Sequence, residues 1–386
     1  MNPVARPKSL LPWLTTQLPD MIRTLGAFVR AESPSTEKAA ADACARVIAA
    51  EWRKRGVQVE LLEQKYRGAH LRVAYAPPGE TKPRSQLLVL GHYDTVYASG
   101  TLAKMAFRIA AGRVFGPGVF DMKAGIVQAL FALDAIQHCG AEVRKQIVFL
   151  WTSDEEIGSE SSRKLLETEA KRSDAVFVLE PSLGTKGLLK TARKGVGEAE
   201  IIVHGRASHA GLAPERGVNA IHELSLQIAR VAEWNDRRRG ISINAGLIAG
   251  GTRPNVIPDV ARALLDLRAL RIREMRKIDK QLRALRPILP GAKLKVRGGF
   301  NRPPLERRYS AELFKRASSL AKWLGFSIGE GTAGGGSDGN LTAALGIPTL
   351  DGLGAVGDGA HSPGEYIVAR TMPQRAALLA ALLVDS

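Results

Sequence analysis

Apolar positions along this chain recur at two different spacings, and the exchanges between them outline the fold. Residues 18–30 and 37–55 carry apolar side chains at helical spacing, the second run behind Ser35 and Thr36, which read as the cap of its first turn. Strands follow at 57–62 and 70–75. Leu87-Leu88-Val89-Leu90 and residues 146–152 are nearly unbroken apolar runs, the kind buried on both faces of a parallel sheet. Helices are predicted over 122–137 and 159–168, and a strand over 175–179. This alternation of strand and helix predicts an α/β domain.

The texture changes near Lys190. Residues 198–204 alternate with period two, 218–234 are helical, 241–248 and 260–268 are strands with polar alternation, 274–285 is helical and 293–297 is a last strand. The order β-α-β-β-α-β is that of a ferredoxin-like α+β domain. After Pro303-Pro304 the first texture returns, with helices at 310–324 and 339–345 and a strand near 348–350. The expected organisation is a first domain in two pieces, 1–189 and 304–386, with a second domain, 190–303, inserted into it. At 386 residues the chain is long for a single core.

Composition narrows the classes further. Two cysteines, Cys44 and Cys139, with no paired spacing, argue against a disulfide framework or a thiolate metal site and fit a reducing compartment. The N-terminal apolar residues are interrupted by Pro12, Thr15, Thr16 and Asp20 before a signal-like core forms, and the longest apolar stretch, 376–384, is half of a bilayer span and reads as a terminal helix packed on the body. A cytoplasmic protein without a membrane partner is the expectation. Net charge is +17, and between residues 190 and 302 there are 23 Lys plus Arg against 10 Asp plus Glu. Much of that excess falls on Arg237-Arg238-Arg239 and on 271–286, where Ile272, Met275, Ile278, Leu282 and Leu285 form an apolar stripe opposite the cations, the pattern of a solvated helix face. No nucleic-acid motif or aromatic interleaving accompanies the charge, so no nucleic-acid partner is expected.

The chemistry-bearing residues sit just past apolar runs or in glycine-rich loops, where an open α/β sheet presents its site. Gly91-His92-Tyr93-Asp94 follows the 87–90 run, and Asp94 is placed to hydrogen-bond the second ring nitrogen of a metal-bound His92. Asp121, in Gly118-Val119-Phe120-Asp121-Met122, stands at a predicted helix start, where it reads as an N-cap or as a carboxylate shared by two metals. Ser153-Asp154-Glu155-Glu156 crowds three acids whose burial is costly without cations, and adjacent side chains let one bind metal while the other faces a water as base. Glu180 ends a further apolar strand, and His361 lies in Gly359-Ala360-His361-Ser362-Pro363-Gly364-Glu365. One histidine and one carboxylate per metal, with Asp121 between, suit zinc, with cobalt or manganese as substitutes, and point to a two-metal hydrolase.

These motifs, in this order, resemble the dinuclear-zinc family of glutamate carboxypeptidase, succinyl-diaminopimelate desuccinylase, acetylornithine deacetylase and the aminoacylases, nearest to the glutamate carboxypeptidase branch. The resemblance implies a zinc-peptidase-like catalytic domain with a mixed, mainly parallel sheet, and an inserted lid that makes a homodimer. It implies two Zn²⁺ per chain, with His92 and Glu180 on one, Glu156 and His361 on the other, and Asp121 bridging them. Glu155 would be the general base and Asp94 the partner of His92. His209, in Gly205-Arg206-Ala207-Ser208-His209-Ala210-Gly211, would stabilise the oxyanion in a partner chain's site, and Asn255, Arg268, Gly335 and Ser337 would contact substrate. It also implies a cis peptide bond from Asp121 to Met122. Where the desuccinylases carry Arg-Arg-Gly-Ser this chain has Arg193-Lys194-Gly195-Val196, which argues against that substrate. The expected activity is hydrolysis of an amide bond beside a free carboxylate, with N-acyl amino acid deacylation as alternative and a non-catalytic, basic polyanion-binding protein as the alternative of another class.

Overall fold

The computed structural model describes residues 9–76 and 85–386; the first eight residues of the expected leaderless N-terminus lie outside them. The described residues form two compact units, one of those up to Thr191 with 307–332 and 337–386, the other of 192–306 and 333–336.

The first unit is built on a six-stranded sheet in the order Gln58–Leu62, His70–Tyr75, Gln146–Thr152, Gln86–His92, Ser173–Val178, Thr349–Leu350. The last four run parallel and the first two pair antiparallel, a mixed, mainly parallel α/β sheet. Its central strands are apolar throughout because helices cover both faces. On one side Ala124–His138 and Met372–Asp385 are buried almost all round, and on the other Leu88, Leu90, Val148 and Leu150 pack with Leu166, Ala170 and Leu341. This leaves the carboxyl ends of Gln86–His92, Gln146–Thr152 and Ser173–Val178 side by side.

Three local expectations change. A helix not read from the sequence, Leu10–Thr16, buries Leu10 and Leu14; Pro12 is tolerated because it falls in the first turn, where no amide partner is lost. The helix Lys38–Arg53 begins without a side-chain cap. Ser35 is buried, and its hydroxyl donates to Asp94 Oδ2 at 2.6 Å, so a long-range partner outcompetes the cap. The helix expected at 159–168 starts later, as Arg163–Lys171, because Ser159 adopts a left-handed φ of 58° and Asp154 accepts the Ser161 and Ser162 amides.

The second unit carries an antiparallel sheet in the order Ser242–Gly250, Val260–Ala269, Gly195–His204, Lys293–Arg302. Helices Ala220–Ala232 and Ile272–Arg283 cover one face, burying Leu224, Val231, Ile278 and Leu282 against Ile201, Val203, Leu265 and Leu267. The element order and sheet order are ferredoxin-like. Ser242–Gly250 is an edge strand whose Leu247 and Ile248 stand 67% and 64% exposed. Among the described residues no helix is long and apolar enough to cross a membrane, and both cysteines are free thiols.

Candidate metal centre

Each acid or imidazole of the expected cluster belongs to the first unit, and the sheet sets the first of them. His92 is the last residue of its strand, with its side chain 1% exposed. Met122 lies across the strand end: a Cβ at position 91 would stand 2.9 Å from Met122 Sδ, so a larger residue there would push this side chain aside. His92 Nδ1 is 3.1 Å from the Asp94 carbonyl oxygen and 3.4 Å from Asp94 Oδ1. The Asp94 carboxylate does a second task that the sequence does not announce. Its oxygens accept the amides of Glu155 and Glu156 at 3.2 and 3.3 Å, which seats the short 3₁₀ turn Glu155–Ile157 at the end of the neighbouring strand.

Asp121 is not a helix cap. Its φ and ψ of −115° and 94° are non-helical, the Asp121–Met122 peptide bond is cis, and the helix that follows begins at Ala124. The carboxylate instead lies between the two histidines, with Oδ1 3.4 Å from His92 Nε2 and Oδ2 3.5 Å from His361 Nε2. Glu180 Oε1 completes one side at 3.3 Å from His92 Nε2, and Glu156 Oε1 the other at 3.1 Å from His361 Nε2. Glu155 Oε2 is 4.0 Å from His92 Nε2. Glu180 is held through its backbone: its carbonyl accepts the Gly354 amide, while the Gly354 carbonyl accepts from the buried guanidinium of Arg375. His361 differs from all of these, being on a loop at a left-handed φ of 59° with its side chain 49% exposed.

Two triads therefore share one residue. His92, Asp121 and Glu180, and Asp121, Glu156 and His361, each offer ligand atoms within 4.8 Å of one another. The field of the acids is strong. Burial works against a charged His92, yet Asp121, Asp94 and Glu180 overcome it and raise its pKa well above the ordinary value. Asp121 and Glu156 raise that of His361 to about 10. Asp121 is held well below the usual carboxylate range, because His361 and His92 outweigh its burial. Glu156 is pushed up, chiefly by burial. Cations bound at such a site would displace protons from it.

The second unit presents His209 on an exposed two-stranded turn, where Nδ1 accepts the Gly211 and Leu212 amides, both at 3.1 Å. The remaining substrate candidates fall in varied settings. Asn255 is exposed, with its carbonyl accepting the Ala210 amide. Arg268 is engaged by Asp266, two residues earlier on its own strand, through Nε at 2.8 Å and Nη2 at 2.7 Å. The Gly335 carbonyl accepts from Arg193. The Ser337 hydroxyl is turned inward, donating to Asp351 and accepting the Gly339 amide as the cap of Asp338–Ala344, and so is committed to the first unit's own structure.

Comparison with known proteins gives the family. The model of peptidase family M20/M25/M40 matches residues 88–385. Carboxypeptidase G2 of Pseudomonas sp. (strain RS-16) is 32% identical over 378 residues, 96% of this chain and 90% of that protein. Acetylornithine deacetylase of Myxococcus xanthus is 25% identical over 327 residues, 78% of this chain and 80% of its own length. Among solved structures, the aminopeptidase PepT of Bacillus cereus ATCC 10987 superposes with a TM-score of 0.79 over 96% of this chain and 98% of its own, at 21% identity, which speaks to the fold. With the family model spanning most of its length and a relative at 32% identity over nearly all of it, this chain belongs to peptidase family M20/M25/M40 and is an amide hydrolase.

Proposed function

We propose that the chain is a dinuclear zinc carboxypeptidase acting on an amide bond beside a free carboxylate. The observation that carries this reading is the pair of triads sharing Asp121. The donor set fits two divalent cations: two imidazoles and three carboxylates converge, and Asp121 Oδ1 is buried without a hydrogen-bond partner. His92 and Glu180 would hold one ion, Glu156 and His361 the other, and Asp121 both; zinc suits these nitrogen and oxygen ligands, with cobalt or manganese as substitutes. Bound there, the pair would supply Lewis acidity, which polarises a carbonyl and lowers the pKa of a water.

The protein's own groups do the rest. Glu155, seated by Asp94, takes a proton from the attacking water and returns it to the departing amine. His209 Nδ1 accepts two amides, which leaves Nε2 as the ring nitrogen able to donate to a developing oxyanion. It would act from a second copy of the chain, joined through the exposed edge strand Ser242–Gly250. Asn255, Arg268 and the Gly334–Gly336 loop would receive the substrate carboxylate, and the charge of +17 favours anionic substrates.

Likeness to carboxypeptidase G2 supports peptide substrates cleaved at the carboxyl end; likeness to acetylornithine deacetylase supports the second reading, N-acyl amino acids. Family membership displaces the non-catalytic polyanion binder. The test couples elemental analysis to a substrate panel: about two zinc ions per chain and preference for C-terminal-glutamate peptides over N-acetyl amino acids are expected. Protein that binds no zinc and hydrolyses neither class would end the proposal. His209→Ala should lower kcat by about 10²- to 10³-fold with metal content unchanged. Mixing it with Glu155→Gln should restore activity, because one site of each mixed dimer would hold both groups; no recovery despite subunit exchange would refute action in trans.

A further inference from the structure

The loop that carries His361 also carries Glu365, and this side chain joins three segments far apart in sequence. It is fully buried. Oε1 accepts the amides of Phe120 and Asp121 at 2.7 and 3.0 Å, and Oε2 accepts the Gly118 amide at 3.1 Å and the Tyr97 hydroxyl at 2.7 Å. Tyr97 lies five residues beyond His92, and its hydroxyl also reaches the Ser362 carbonyl at 3.0 Å. All four partners of Glu365 are donors, a set that only a group accepting through both oxygens satisfies.

We infer that Glu365 is a positioning residue that sets Asp121 and the His361 loop in register, and so determines whether the second cation position exists as a formed site. The physical reason lies in what else holds these segments. His92 and Glu180 are placed by sheet strands, but Asp121 sits in a non-helical turn and His361 in an exposed loop, three residues beyond the Asp358–Tyr366 pair that ends the ladder of its hairpin. Glu365 grips the amide of Asp121 itself while standing four residues from His361, which makes one carboxylate the strap between both ligands. Glutamine at this position keeps one acceptor and turns an amide N–H₂ toward two donors, so half of the strap is lost without change of size. The carboxylate touches neither cluster of ligand oxygens, and it acts through backbone placement alone.

The inference rests on the dinuclear reading above, and its test separates the two. Metal-stripped parent, Glu365→Gln and Tyr97→Phe are titrated with Co²⁺, followed by its visible absorption and by calorimetry. Parent protein binding two equivalents upholds the dinuclear reading; parent binding fewer removes that reading whatever the variants do. In Glu365→Gln the weaker of the two dissociation constants should rise about 10- to 100-fold, the size of effect that supporting groups have on metal sites, while the tighter one moves by less than about threefold. Tyr97→Phe, which removes one of the four donors, should move the weaker constant in the same direction by a few-fold and leaves a measurable protein should the glutamine variant not fold. Glu365→Gln with both constants within threefold of the parent, both constants moving equally, or an unchanged Tyr97→Phe where Glu365→Gln is insoluble would overturn it.

Discussion

The two halves of the cluster are built by different means. The His92 side is part of the sheet: His92 closes a central strand, its side chain is 1% exposed, its second ring nitrogen faces Asp94, and Glu180 follows the adjacent parallel strand with its backbone pinned by Gly354 and Arg375. The His361 side is assembled from loops. His361 is 49% exposed at a left-handed φ, and its partner Glu156 sits on a short turn held by Asp94 and Asp154. Strand ends come positioned by backbone ladders and packing, whereas loop ligands depend on a few buried carboxylates that gather amides from distant segments. On the dinuclear reading, a cation at the first position would meet a prepared site, and one at the second would rely on clamps.

The largest effect should come from Glu155, the acid seated by Asp94 beside His92. Glu155→Gln should lower kcat by about 10²- to 10⁴-fold while both metals stay, since a base is removed and no ligand is lost. Metal loss in that variant would mean that Glu155 and Glu156 have exchanged roles, and the assignment of the loop half would fall. Next, His361→Ala should empty one position and leave about one zinc per chain, whereas His92→Ala should deplete both, because Asp121 then has no prepared half to complete. Equal, single-ion losses in the two variants would erase the asymmetry.

A smaller effect is expected from Ser35→Ala, which removes the 2.6 Å hydrogen bond to Asp94 and touches no ligand. Groups that support metal ligands change affinity or activity by roughly 10- to 100-fold, so kcat should fall by an amount at the lower end of that range. Because Asp94 serves both halves, the two metal affinities should weaken together, in contrast to Glu365→Gln. The smallest signature is in pH. In metal-stripped protein the pKa of His361 is raised from 6.5 to about 10, so its pairing with Asp121 and Glu156 stabilises the fold fully below about 6.5 and is lost as pH rises through 10. The Tm advantage of stripped parent over stripped His361→Gln should therefore shrink across that window; an advantage that grows would contradict the pairing.

Much of this protein is determined by local sequence. The strand runs 70–75 and 146–152 coincide with the observed strands, the helix at 18–30 is Leu18–Arg30, and the period-two segments beyond Lys190 form a separate antiparallel sheet, because burial on one or both faces imposes a periodicity that any window of the chain displays. The acids past the strand ends were legible for the same reason, since a charge directly after a buried run must lie at a sheet edge. Other features were decided by tertiary structure alone. Ser35 left its expected cap for Asp94, Asp121 proved to be no cap at all, and the Ser337 hydroxyl turned inward to Asp351. The clamps by Asp94 and by Glu365 join residues 61 and 247 positions apart, and a hydrogen bond across such a separation leaves no trace in spacing or composition. Sequence periodicity specifies which surfaces are buried, but a polar side chain chooses its partner only once folding has brought the candidates together, and the loop half of the site consists almost wholly of such choices.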